Sequence, residues 1–191
     1  SVSVLMARFR QDWMRQFVTR QPRIFDATVL DSLRQSTAFF ASTCLIALGG
    51  GVALIGNADR LVGVATGFTL HATALLLEVK LIVVLILVAN AFLKFVWANR
   101  LFGYCAILMA SVPNDPEDPE ALPRAAQAAQ INITAARSFN RGLQSVYFAL
   151  AGLAWILGPV PLLAATLLTG LVLLRREFAS ESRAVMLRRQ V

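Results

Sequence analysis

Residues 35–58 read QSTAFFASTCLIALGGGVALIGNA, 24 residues without a formal charge, bounded by Arg34 and Asp59. A helix rises 1.5 Å per residue, so this run is long enough to cross the ~30 Å hydrocarbon core of a bilayer. Within it Thr43, Ala47 and Gly51 recur every four residues. Such a stripe of small side chains lets another helix approach closely. Gly49-Gly50-Gly51 is not a phosphate loop, because the Lys and Ser/Thr that end one are missing.

The rest of the chain extends this reading. Of 191 residues 57% are apolar and 15% charged, and the mean hydropathy is +0.64. A soluble domain usually carries about 25% charged residues. The balance excludes a disordered chain and an acidic tail, and it points to an all-α integral membrane protein. The net charge of +7 is an orientation signal rather than a nucleic-acid signature, because the arginines flank apolar runs. Cys44 and Cys105 form no C-x-x-C pair, so neither a disulfide framework nor a zinc site follows.

Residues 4–20 form an amphipathic helix in this reading. Leu5, Met6, Phe9, Trp13 and Phe17 fall on one arc, with Arg8, Gln11, Asp12, Arg15 and Thr19 opposite. Its apolar face suits either a cytoplasmic membrane surface or the protein's own spans. Pro22 ends it. Six arginines and no long apolar core in residues 1–35 do not make a cleavable signal peptide.

Four spans are expected, near 35–57, 79–98, 142–157 and 160–175. The second has a charge-free core of only 13 residues, 81–93, so Lys80 and Lys94 snorkel toward opposite interfaces. Residues 61–77 are read as an interfacial or re-entrant segment, the alternative being the start of one long helix. Pro113-Asn114-Asp115-Pro116-Glu117-Asp118-Pro119 is a break, after which Asp118 can cap a new helix. Residues 99–141 then make a cytoplasmic helical hairpin. The 33 uncharged residues between Arg141 and Arg175 are too long for one span and divide at Gly158-Pro159-Val160-Pro161. With four spans the inner segments hold 15 Lys+Arg and the outer ones 2, which places both termini in the cytoplasm. A three-span chain with one kinked helix over 142–174 would put the five-arginine tail outside.

Candidate chemistry is sparse. His71 and Glu78 share a helix face, and without a second histidine they read as an interfacial pair. Lys80, Asn90, Lys94 and Trp97 lie on one arc of the second span. They could line a polar path, but snorkelling plus one interhelical bond from Asn90 is the simpler account. Asn132, Asn140 and Gln144, with Arg137 and Arg141, form the polar side of the helix entering the third span. The two arginines need acidic partners, for which Asp26, Asp31 and Glu177 are available, or anionic lipid heads. No nucleophile–base set, haem motif or nucleotide motif is present, so no catalytic, metal or cofactor-binding residue is assigned.

Several strings resemble a known family. They are Arg23-Ile24 with Asp26; Thr37-Ala38-Phe39-Phe40-Ala41-Ser42-Thr43; Lys94-Phe95 with Arg100-Leu101-Phe102 and Tyr104; Arg137-Ser138-Phe139-Asn140-Arg141-Gly142-Leu143 with Tyr147-Phe148-Ala149-Leu150-Ala151; and Arg175-Arg176-Glu177-Phe178 with Ser180. Spread over about 20–180, they resemble the domain-of-unknown-function 599 family, uncharacterised multi-span proteins of bacteria and plants. The resemblance implies a multi-pass protein of a bacterial inner membrane and adds no catalytic residue. It draws attention to Arg23, Asp26, Arg100, Asn140, Arg141, Arg176 and Glu177, expected with Arg137 as one cytoplasmic polar or lipid-head layer. The expected function is non-enzymatic: an oligomeric scaffold or accessory subunit of a membrane complex. The rival is a homo-oligomeric channel or transporter for a small ion or solute. Partners would be membrane lipids, other copies of the chain and other membrane subunits, not nucleic acid.

Overall fold

The computed structural model describes residues 1–57 and 73–188. Among these the chain is all-helical: α1 (Val2–Thr19), α2 (Ile24–Ile55), α3 (Ala74–Ala110), α4 (Ala121–Leu153), a 3-10 turn (Ala154–Leu157), α5 (Pro159–Phe178) and α6 (Glu181–Leu187). Most of the interfacial segment expected over 61–77, and His71, lie outside the described residues. Within that range, Ala74 to Leu77 form the first turn of α3.

The helix ends follow local chemistry. α1 stops at Thr19, just before the Gln21–Pro22 bond, which is cis. α2 begins well upstream of the apolar run and carries Arg34 in its interior. No Pro or Gly interrupts 24–48, and a charge does not break a helix. α3 and α4 are separated by residues 111–120. There Asp118 Oδ1 accepts from the Glu120 N–H at 2.8 Å and Asp118 O from the Ala121 N–H at 3.0 Å. Pro123 sits in the first turn of α4, where its missing N–H has no helical partner to lose. Gly158 has φ +126°, a conformation open to glycine, and Pro159 starts α5.

The chain forms two compact units. The first comprises Ser1–Phe39, Lys94–Asn140 and Arg176–Val191. Its core joins Met14, Phe17 and Val18 of α1, Leu30 of α2, Leu101, Phe102, Cys105 and Met109 of α3, and alanines of α4. Ala121, Ala125, Ala128 and Ala135 are all 2% exposed or less. Their spacing of three and four marks one helix face. Its small side chains bring the α4 backbone close to α3: the Cys105 thiol lies 3.4 Å from Ala128 O. Phe95, fully buried, meets Phe139 with ring centroids 5.4 Å apart. Burying such a side chain contributes about 1.5–3 kcal/mol.

The buried face of α1 is rotated from the expected arc. Met14, Phe17 and Val18 are buried and Trp13 is half-buried, whereas Met6 and Phe9 are exposed. Of the expected arc Phe17 is buried and Leu5 and Trp13 are half-buried, and Arg10 joins the inward side through its bond to Asn132.

The second unit comprises Phe40–Leu93 and Arg141–Arg175. Leu77, Leu81, Val84 and Ala91 form its buried α3 face. A Cβ added at Gly51 would overlap the Leu85 side chain, and one at Gly152 would come within 3.2 Å of Val84. Gly51 is therefore a close-approach position. Thr43 and Ala47 of the same expected stripe are exposed, because the inward face of this part of α2 carries Cys44, Leu48 and Gly51. Elsewhere this unit presents apolar side chains outward, among them Ile46 (77% exposed), Val160, Leu163 and Leu167.

Among the described residues two helices, α2 and α3, are long and apolar enough to cross a membrane. Only 11% and 22% of their most apolar stretches are buried within the chain. The core helix of a soluble protein would be mostly buried.

Candidate functional site

The polar residues inside the first unit are concentrated in three groups. The first centres on Asp26, near the start of α2 and fully buried. Its Oδ1 accepts from Trp13 Nε1 at 2.6 Å and forms a salt bridge with Arg20. Its Oδ2 has no hydrogen-bond partner among the described residues. Arg20 also lies 5.4 Å from the Phe25 ring centroid. Asp26, expected among the partners of Arg137 and Arg141, is thus engaged locally by Arg20 and Trp13. The six-residue separation of Arg20 and Asp26 makes this a clamp on the α1–α2 connection.

The second group is Arg23, which staples two parts of the unit. Nη1 donates to Val112 O (2.8 Å), and Nη2 donates to Pro113 O (2.7 Å) and Val18 O (3.2 Å). The guanidinium lies 4.6 Å from the Phe17 ring centroid. Its Nε is buried and unpartnered among the described residues. Two of these carbonyls follow the end of α3 and the third lies in the last turn of α1, where carbonyls have no further helical N–H to accept from.

The third group joins α1, α3 and α4. Arg10 donates to Asn132 Oδ1, and Asn132 Nδ2 lies 3.5 Å from Cys105 Sγ. Asn132 and Cys105 are both fully buried. Burial pulls the Arg10 guanidinium below its ordinary pKa, with the nearby Cys105 acting the other way. Arginine nevertheless stays protonated. Two further bonds tie helices together: Asn99 Nδ2 donates to Thr37 Oγ1 and Arg34 O, both at 3.0 Å. Ser138 Oγ donates to Lys94 O at 3.0 Å.

The remaining residues named from sequence are dispersed. In the second unit Lys80 Nζ lies 5.9 Å from the Trp155 ring centroid, and Asn90 Nδ2 donates to Ser145 Oγ at 2.7 Å. In the first, Arg100 Nε donates to Tyr104 Oη at 2.7 Å. Glu177 Oε1 accepts from the Ser3 N–H at 3.1 Å. Arg137, Arg141 and Arg176 are exposed and Asn140 is half-buried. No group of three or more His, Cys, Asp and Glu side chains suited to a metal occurs among the described residues.

Sequence reasoning overlooked Arg10, Trp13, Arg20, Asn99 and Thr37 as members of these groups. One signal was present for the third group: Asn132 interrupts the alanine face Ala121, Ala125, Ala128, Ala135. An amide placed at a core position demands a partner.

These strings coincide with a family pattern. A family model described as a protein of unknown function, DUF599, matches residues 1–182. The chain belongs to the DUF599 family. No curated protein and no solved structure matches it. The match extends beyond the family-like strings and takes in α1, so Arg10, Trp13 and Arg20 lie within the matched region.

Proposed function

We propose that this DUF599 chain is a non-enzymatic integral membrane protein acting as an oligomeric scaffold or accessory subunit of a membrane complex. Four spans near 35–57, 79–98, 142–157 and 160–175 cross a bacterial inner membrane, with both termini and the 99–141 hairpin in the cytoplasm. The observation that carries this reading is the distribution of exposure. The second unit leaves Ile46, Val160, Leu163 and Leu167 more than 60% exposed, and only 11% and 22% of the most apolar stretches of α2 and α3 are buried within the chain. Exposed apolar patches of this kind need lipid or another protein surface. The Gly158-Pro159 break and the flanking Arg141 and Arg175 support dividing the last apolar region into two spans. Asp26, Arg23, Arg10 and Asn132 hold helices together through their bonds, which is the use expected of scaffold polar groups.

A channel or transporter is the second reading, favoured by Asn90. This amide is exposed on an otherwise apolar stretch of α3 and bonded to Ser145. Polar groups at such positions face a bundle interior or an aqueous path. Two measurements separate the readings. Native size analysis of the detergent extract should show an oligomer or a heteromeric complex, and proteoliposomes should show no ion or solute flux. Flux that Asn90→Leu abolishes would replace the scaffold with the channel.

A further inference from the structure

Two outward faces of the first unit complement each other. On α3, Trp97, Arg100, Tyr104 and Ile107 follow at steps of three, four and three, and all are exposed. They lie opposite the buried Phe95, Ala98, Phe102 and Cys105. On α2, Thr28, Asp31, Gln35 and Ala38 make a second exposed stripe with the same steps, opposite the buried Asp26, Leu30 and Thr37. Such spacing keeps a row of side chains facing one neighbouring helix. The α3 stripe is bulky and carries a cation; the α2 stripe is smaller and carries an acid. Arg100 is held in its stripe by the bond to Tyr104 Oη, its guanidinium 5.9 Å from the ring centroid. Neither Arg100 nor Asp31 has an ion-pair partner among the described residues. Lipid covers only part of the α3 stripe. In the membrane reading proposed above Trp97 stands at headgroup level, and Ile107, ten residues on, lies about 15 Å farther along the helix. The headgroup region is only about 5–7 Å deep on each side, so the Tyr104–Ile107 end reaches past it and needs a protein surface.

We propose that α3 of one copy of this chain docks on α2 of the next, head to tail, through these two stripes. The inference deepens the oligomeric reading above and rests on it. Its register is set by the chain itself. Within the first unit α2 and α3 run antiparallel, because Arg23 reaches Val112 O while Thr37, fourteen residues on, accepts from Asn99, thirteen residues back. Copies inserted the same way in one bilayer stand at the same depth, so residues level within a chain are level between chains. To within one residue this sets Thr28 against Ile107, Asp31 against Tyr104, Gln35 against Arg100 and Ala38 against Trp97. The Arg100 guanidinium, drawn toward the Tyr104 hydroxyl, then lies between the Asp31 carboxylate and the Gln35 amide, and the small Ala38 leaves room for the Trp97 indole. Pairing like faces fails at equal depth: α3 on α3 opposes two copies of Arg100, and α2 on α2 opposes two copies of Asp31. A contact between two different faces of one chain propagates from copy to copy and closes into a ring where the rotation allows.

The test is disulfide trapping in native membranes. Thr28→Cys and Ile107→Cys are placed in separate, differently tagged full-length chains, co-expressed and oxidised with copper phenanthroline. The wild type, whose Cys44 and Cys105 are buried, is the control. The pair should give a mixed dimer, each variant alone should give none, and both substitutions in one chain should give a ladder of multimers. Asp31→Arg, which brings like charges together, should weaken assembly of the detergent extract by at least about tenfold in native mass spectrometry, and adding Arg100→Asp to that chain should restore it. Disulfides between identical variants in place of the mixed dimer would overturn the head-to-tail pairing. A disulfide from Ile107→Cys to a different polypeptide would overturn the second copy as the occupant. An oligomer that persists in Asp31→Arg and yields no mixed dimer would overturn this interface and leave the oligomeric reading standing. A wild-type chain that runs as a monomer would overturn both.

Discussion

Replacing Arg20 with alanine tests how the α1–α2 connection is held. Asp26 is fully buried, with Arg20 as its cation and Trp13 Nε1 as its second donor, 2.6 Å away. Removing one partner of a buried ion pair costs about 3–5 kcal/mol, because the other charge is left uncompensated. The Arg20 side chain is 34% exposed, so water reaches part of the vacated space and the lower end, about 3–4 kcal/mol, is expected. For a chain of this size each kcal/mol moves Tm by about 2–4 °C, giving a fall of about 6–16 °C. In an Asp26→Asn background no buried charge remains to be orphaned, and Arg20→Ala should then cost about 1 kcal/mol or less. The coupling energy is therefore on the order of 2–3 kcal/mol. Thermal unfolding of the detergent-extracted protein, followed by the near-ultraviolet circular dichroism of its tryptophans, measures all four corners of the cycle. Equal losses from Arg20→Ala in both backgrounds would refute the clamp.

Three further outcomes are expected. Gly51→Ala should destabilise by about 1–3 kcal/mol as its Cβ displaces Leu85. Gly50→Ala, with open space around it, should be neutral or stabilising by up to ~1 kcal/mol; melting curves that rank them the other way would remove the close approach. Asn132→Leu deprives Arg10 of its acceptor inside the first unit and should cost about 1–3 kcal/mol, read by the same melting assay. Cys44 and Cys105, 4% and 0% exposed, should resist a maleimide in the folded protein and react fully after denaturation; rapid labelling of Cys105 in the native state would contradict the α3–α4 packing.

Much of the helical plan was legible before any coordinates. Pro22, the proline-rich 113–119 and Gly158-Pro159 are breaks that act within a few residues, and helices stop at each. The uncharged run says nothing of where its helix begins: α2 starts at Ile24 and passes through Arg34, because a charge does not break a helix. The stripe of Thr43, Ala47 and Gly51 was readable as small residues, but Thr43 and Ala47 are exposed while Gly51 is buried against Leu85. Which face of α2 turns inward depends on the helix it packs against, and a repeat of small residues does not specify that. The outward side chains of the apolar face of α1 show the same effect: Arg10 turns toward Asn132, and Met6 and Phe9 remain exposed.

The sequence by itself determined an all-helical chain, the apolar runs of α2 and α3, and the family. These rest on composition, on local breaks and on strings of adjacent residues. Only the tertiary structure decided the partners: Arg20 and Trp13 for Asp26, Asn132 for Arg10, and three carbonyls for Arg23. Each pairing depends on the rotation and register of whole helices. A donor 122 residues from its acceptor, as Arg10 is from Asn132, leaves no trace in local periodicity.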